Sequence, residues 1–246
     1  MQKIFLSVLI FAGITNTGCK KDIEPEGTAS LTIINAVAGS APLVTNFSNE
    51  PLQWYKSARQ LTYGTFSANL NMFAPVDGIT PVNLYTYPDT AAHQQPLFSL
   101  QLNLQRYSIY TLFLVGQPGD TDTLFTTDVP AYHSPTDSTT GIRFVNLSPD
   151  SDPMSINIKG QTPGSETGSL SFKSITPFKN YPAGKAINSY IFEFRDAATG
   201  TLMSTYTLGN FNSASGSPRF RNVTIALKGL KGGAGASALG TLLINN

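Results

Sequence analysis

Over many short segments of this chain, side-chain polarity changes sign at every second residue. In "PLFSLQLNL" (96–104), Phe98, Leu100, Leu102 and Leu104 alternate with Ser99, Gln101 and Asn103. "YIFEFR" places Tyr190, Phe192 and Phe194 opposite Glu193 and Arg195, and "MSINIKG" alternates through Met154, Ile156 and Ile158. A period of two belongs to a strand that buries one face and wets the other. "SIYTLFLVG" (108–116) and "NVTIALKG" (222–229) are almost continuously apolar and rich in β-branched and aromatic residues. Strands of that composition are covered on both faces and sit centrally in a sheet. Between the runs stand "PVDG", "YPD", "GQPGD", "SPDSDP", "QTPGSETG" and "SASGSP". In these, Pro pre-sets φ, Gly allows positive φ, and Asp and Ser bond the local backbone. No long segment has a period of 3.6; only "LQWYKSARQL" (52–61) could be a short helix or a turn. Short strands without intervening helices imply an all-β sandwich or barrel.

The strands come in two sets. "LTIINAVAGSAP" (31–42) resembles "IRFVNLSPDSDP" (142–153): a strand, an Asn, a small turn, a Pro. "VNLYTYPDTAAHQQPLFSLQL" (82–102) resembles "SYIFEFRDAATGTLMSTYTL" (189–208), each a strand, an Asp-containing turn and a second strand. "YSIYTLFLVG" resembles "RNVTIALKG", an apolar strand ending in Gly. Three matches in the same order predict two copies of one domain, at 28–135 and 140–246. The junction "PAYHSPTDSTTG" (130–141) has the Pro, Ser and Thr content of a linker. Each copy has about the 100 residues that an immunoglobulin-like sandwich uses. Two tandem antiparallel β-sandwiches of that type are expected; a single large barrel is the alternative.

The N-terminus sets the compartment. Lys3 precedes the apolar run Ile4 to Ile14, too short for the ~20 residues of a membrane-spanning helix and suited to a signal-peptide core. Gly18 and then Cys19, the only cysteine, follow. This resembles a bacterial lipoprotein signal (1–18), after whose cleavage the acylated cysteine becomes the new N-terminus. Asn16 departs from the usual pattern, which has an aliphatic residue there. "KKDIEPE", with a Pro among charges, reads as part of a flexible tether (19–27). A lysine followed by acidic residues after the cysteine resembles the export signal of Bacteroidetes-type surface lipoproteins. The resemblance implies a lipid anchor at Cys19 and a body on the outer face of the outer membrane.

With one cysteine the chain holds no internal disulfide and depends on apolar cores. Charged residues make up only 13%, against about 25% in typical domains. The formal net charge is +1, so no electrostatic footprint for nucleic acid or an anionic membrane is present.

"RFVNLSPDSDPMSINIKG" (143–160) resembles the opening of the bacterial domain-of-unknown-function family 4397. Its members begin with a strand, an Asn or His, a Ser-Pro-Asp turn and a short alternating strand. Asn146, Ser148, Pro149, Asp150, Ile156 and Ile158 occupy those places. The first copy departs from the pattern, with Ala38 and Gly39 where Pro149 and Asp150 stand. The resemblance implies a β-sandwich in secreted or lipid-anchored proteins, and no catalytic residues.

Few residues suggest chemistry. His93 and His133 lack a second His or a Cys at ligand spacing, and no HExxH occurs, which leaves no zinc signature. GxSxG and GxxxxGK are absent. "GAGASA" (233–238) satisfies GxGxxA, but too few residues follow for a βαβ unit, so it reads as a turn before the strand "TLLIN". Asp150 and Asp152, or Asp120 and Asp122, alternate as calcium ligands can, though such residues more often satisfy turn backbone. No carboxylate pair stands out as glycosidase machinery. No catalytic residue, metal site or cofactor is assigned.

Trp54 and Tyr55, in "PLQWYKS", are the candidate partner-binding residues, because exposed aromatics stack on sugars or anchor interfaces. Trp54 could instead fill the core of the first sandwich. These features predict a non-enzymatic cell-surface lipoprotein that binds a glycan or protein partner. A structural or assembly accessory of the outer membrane is the second reading, and a hydrolase with an unrecognised site the third.

Overall fold

The computed structural model describes residues 26–52, 59–88, 95–214 and 216–246. Strands dominate them. The first half contains β1 (Ser30–Asn35), β2 (Leu43–Asn46), β3 (Gln60–Leu61), β4 (Met72–Phe73), β5 (Gly78–Thr86), β6 (Phe98–Leu104), β7 (Ile109–Gln117) and β8 (Asp120–Asp128). The second contains β9 (Thr139–Asn146), β10 (Met154–Ile158), β11 (Thr167–Leu170), β12 (Lys179–Pro182), β13 (Ser189–Asp196), β14 (Leu202–Gly209), β15 (Asn222–Lys228) and β16 (Gly240–Asn245). A four-residue helix, α1 (Ala68–Asn71), leads into β4.

The two halves have one topology. In the first, the sheets run β4-β1-β7-β8 and β3-β2-β5-β6; in the second, β12-β9-β15-β16 and β11-β10-β13-β14. Each strand has its counterpart at the same sheet position eight strands later. The one parallel pair of each half, β1 with β7 and β9 with β15, recurs as well. The chain is thus all-β, built of sandwiches and not of one barrel. The strand order is not the immunoglobulin one that domain length suggests. There the first strand joins the second, fifth and fourth; here it lies between the fourth and the seventh.

Alternation explains the layers. Leu31, Ile33, Leu112 and Leu114 point inward against Leu43, Val82, Leu84 and Leu102 of the facing sheet. Ile142, Phe144, Ile225 and Leu227 do the same against Met154, Ile156, Phe192 and Phe194. The other faces of β1, β7, β9 and β15 carry Ile34, Phe113, Val145 and Ala226, which meet in a third buried cluster with Ala36, Val115, Leu147, Leu242 and Ile244. The inner sheets therefore pack on each other, and the order of layers is sheet, core, sheet, core, sheet, core, sheet. This is the reason β7 and β15 lack alternation: both their faces are dry.

The shared layer is polar at one end. Asp128 Oδ1 accepts from Arg143 Nη1 at 2.7 Å, and both side chains are at most 5% exposed. Thr111 and Asn246 donate to Asp128 Oδ2, at 2.6 and 3.2 Å. Arg143 Nε donates to Thr224 Oγ1 at 2.7 Å, and the guanidinium lies 4.5 Å from the Phe178 ring centre. The 130–141 junction is tied down: Asn222 exchanges two hydrogen bonds with the Ala131 backbone, at 2.9 and 3.0 Å. With the composition of a linker, it is held as a strap on the second sandwich.

The repeated sequence signatures now have physical reasons. Buried Asn35 donates to Leu61 O and Ser40 Oγ and accepts from Val37 N. Asn146 donates to Leu170 O and Ser151 Oγ and accepts from Ser148 N. Each Asn fastens the first strand of its half to the third and caps the turn between. Gly116, the second-last residue of β7, and Gly229, which follows β15, have φ of +95° and +93°. A Cβ there would stand 2.2 Å from Asp120 O or Ala238 O. Gly116→Ala and Gly229→Ala should each cost at least about 2 kcal/mol, since strained φ alone costs about 1–3; urea unfolding against wild type measures it, and an unchanged midpoint would refute it.

Candidate functional site

A cleft of about 750 Å³ lies on the first sandwich. It opens where β2 ends at Asn46, opposite Asn83. From there back to Gly78, β5 pairs, among the described residues, only with β6. Pro81, which has no N–H to offer, sits on this stretch, as Pro in strands does at edges. Phe47 continues from β2 into the cleft lining beside Phe73 of β4; the two rings touch, with centres 5.0 Å apart. α1 holds β4 in place, because Asn71 Nδ2 donates to Ile33 O at 2.8 Å. Pro75, Val76 and Ile79 add apolar lining, and Ile79 is 77% exposed.

Two charges frame the cleft. Arg59 lies with its guanidinium 5.3 Å from the Phe73 ring centre and donates to Met72 O at 3.0 Å. Asp77 accepts from Arg106 Nε at 2.9 Å, and that contact holds the Arg106 pKa above its ordinary value. The site therefore offers an apolar floor, two aromatic rings and one stacked cation. It can take up an apolar side chain with an acidic or carbonyl neighbour. It shows no nucleophile–base pair.

Cys19, Trp54 and Tyr55, the residues singled out in the sequence, lie outside the described residues, as does His93. His133 is partly buried with Nδ1 2.9 Å from Thr139 Oγ1. The acidic turns are engaged by lysines: Asp150 accepts from Lys231 N at 2.9 and 3.1 Å, Asp152 pairs with Lys231 Nζ, and Asp122 pairs with Lys173 Nζ at 2.5 Å. "GAGASA" contains a 3₁₀ turn, Gly235–Ser237, just before β16. Sequence reasoning missed Phe47, Arg59, Phe73 and Ile79, which come from separate parts of the chain and share no local pattern; "PVDGITP" (75–81), with prolines flanking exposed apolars, was the only sign.

The match to a known family is extensive: residues 29–157 fit the pattern of the Domain of unknown function (DUF4397). The chain belongs to this family. The DUF4397 match begins beside β1 and ends within β10, so it takes in the first sandwich, the more divergent copy, and both Asn turns. No curated protein matches the chain. In DUF4397 terms, the Asn-turn signature is a structural device; it lies at the opposite end of the β strands from the cleft.

One further polar group is worth a measurement. The Glu166 side chain is 3% exposed and accepts from Tyr181 Oη and, at 2.9 Å, from Lys179 Nζ. Burial raises its pKa, but the bonds from Tyr181 and Lys179 outweigh it and leave the carboxyl below its ordinary 4.5. Burial and then the Glu166 carboxylate hold the Tyr181 phenol above its usual range. A depressed folded pKa adds stability above the unfolded value, and that stability is lost as pH falls through the folded one. Stability should therefore drop below pH 4.5 with a smaller slope in Glu166→Gln; equal slopes in acid denaturation would contradict this.

Proposed function

We propose that this protein is a non-enzymatic, outer-membrane surface lipoprotein, acylated at Cys19, whose first sandwich binds a protein partner through the cleft. The observation that carries the reading is the cleft lining. Phe47, Phe73, Pro75, Val76, Ile79 and Pro81 present apolar surface, which a sugar does not need in that amount. Apolar and aromatic pockets with an Arg at the rim suit protein anchors. The two rings tilt at 55° to each other, which leaves no flat shared platform for a pyranose. Cys19 after the short apolar run supports the anchor, and acyl chains would supply the membrane affinity.

Two experiments test this reading. A photoreactive amino acid at Ile79 in growing cells should give one discrete protein adduct, reduced by Arg59→Ala, whereas the same probe at Leu202 should not. A diffuse adduct removed by glycosidase would replace the protein partner with a glycan; no adduct at either position would overturn the binding role. Cys19→Ala should move the protein from membranes to the soluble fraction, and unaltered fractionation without palmitate labelling of wild type would refute the anchor.

A further inference from the structure

The described chain starts at one end of the strands, and that end is unusually aromatic. Thr28 O accepts from Tyr107 N at 3.0 Å, and Gly27 O from Asp77 N at 3.0 Å, so the N-terminal residues lie at the turn that opens β7. β1 and β7 are parallel and begin together there; β8, antiparallel, ends there with Asp128 facing Ile109. The Arg143–Asp128 and Asn222–Ala131 bonds bring the starts of β9 and β15 to the same end. Phe220, just before β15, donates its N–H to Thr139 O.

This common end carries Tyr107 at 86% exposure, Tyr132 at 81%, Val129 at 80% and Phe220 at 43%. The residues come from both halves. Tyr107 and Phe220 occupy equivalent places, each at positive φ, +64° and +59°, directly before the central parallel strand of its half. A non-Gly residue in that conformation is uncommon, and the backbone there turns each ring outward instead of letting it fold into the core. Arg106 and Arg221 flank the two rings in sequence. Opposite, the far end presents Asn-capped turns, and Leu202 there is 46% exposed.

We infer that this end rests on the lipid surface, with Tyr107, Val129, Tyr132 and Phe220 in the headgroup region. The inference rests on the Cys19 anchor proposed above. Seven residues, Lys20 to Glu26, separate Cys19 from Gly27. Fully extended they span at most about 25 Å, so an acylated Cys19 keeps this end, and no other, beside the bilayer. Tyr is the residue that membrane–water interfaces collect, because its ring is apolar and its tip wet. The contact sets the strands along the membrane normal; the cleft lies at this same end, where Asp77 N donates to Gly27 O, so the partner proposed above is one met at the membrane surface.

The lone cysteine gives a test that does not depend on native acylation. The mature chain is coupled through Cys19 to maleimide-headgroup lipid in phosphatidylethanolamine–phosphatidylglycerol vesicles. Hydroxyl-radical footprinting is then read against the same protein in solution with Cys19 capped. Tyr107 and Tyr132 oxidation should fall severalfold on vesicles while Leu202 oxidation stays unchanged. Tyr107→Ser with Tyr132→Ser should restore solution-like oxidation at Phe220. Unchanged Tyr107 and Tyr132 oxidation on vesicles, or equal protection of Leu202, overturns the contact. Failure of the anchor itself is separate: it shows as native Cys19 without acyl mass in protein from membranes.

Discussion

Asp128→Ala should unfold this protein more readily by about 3–5 kcal/mol, the cost of leaving one member of a buried ion pair uncompensated. Arg143 would keep its charge with a side chain 5% exposed. Thr224 Oγ1 would remain bonded to Nε, but Nη1 would lose its acceptor. The Thr111 hydroxyl and the Asn246 amide would lose theirs too. The second substitution decides the interpretation. Asp128→Leu combined with Arg143→Met should recover most of the loss, because an apolar pair of similar volume is often neutral or better at such sites. Chemical denaturation of the single and double variants measures both. A single variant within about 1 kcal/mol of wild type would mean that water reaches the pair and that the interface between halves is wet.

Dividing the chain has the other large effect. The second half alone, 136–246, should not behave as a folded monomer. It would expose Val145, Leu147, Ala226, Leu242 and Ile244, which the first half covers, and would strand Arg143. Apolar patches of this kind on a soluble domain promote association. Sedimentation should find dimers or larger species, and mixing with the first half should return a 1:1 complex. A monodisperse, cooperatively unfolding monomer would show that each sandwich is self-sufficient. Length alone argues for self-sufficiency, since about 111 residues can bury an adequate core; the third cluster argues against it.

The sequence was readable where a rule is local. Alternation located β6, β10 and β13, and continuous apolar runs located β7 and β15 and indicated that both their faces are covered. What covers the second face was not readable. Asp128 sits in "TTDVPAY", where an aspartate looks like turn chemistry, and Arg143 in "IRFVN", where it looks like the wet residue of an alternating strand. Only the packing of sheet on sheet turns both inward. The Asn35 and Asn146 turns were legible as a repeat, but the carbonyls they hold, Leu61 O and Leu170 O, lie 26 and 24 residues away. The cleft was the least legible feature, because Phe47, Arg59, Phe73 and Ile79 converge only after β2, β4 and β5 are in place. Strand order was misjudged for a related reason: domain length and strand count do not say which edges meet.

The face-to-face packing of equivalent sheets makes this chain resemble a homodimer whose two subunits have been joined covalently. By register, Asp128 is to Ile109 what Asn246 is to Asn222, so Asp128 and Asn246 hold the same position in their halves. These two equivalent residues touch each other, 3.2 Å apart, as like residues do on the axis of a two-fold assembly. Two copies of the first half joined in this way would press two buried aspartates together, and like charges that close resist joint ionisation. Fusion removes that constraint. One chain can keep the carboxylate on one side, place an amide on the other, and add a single arginine at 143 where the first copy has Thr32. A gene duplication thus lets the contact become asymmetric and charged, a solution closed to any pair of identical subunits.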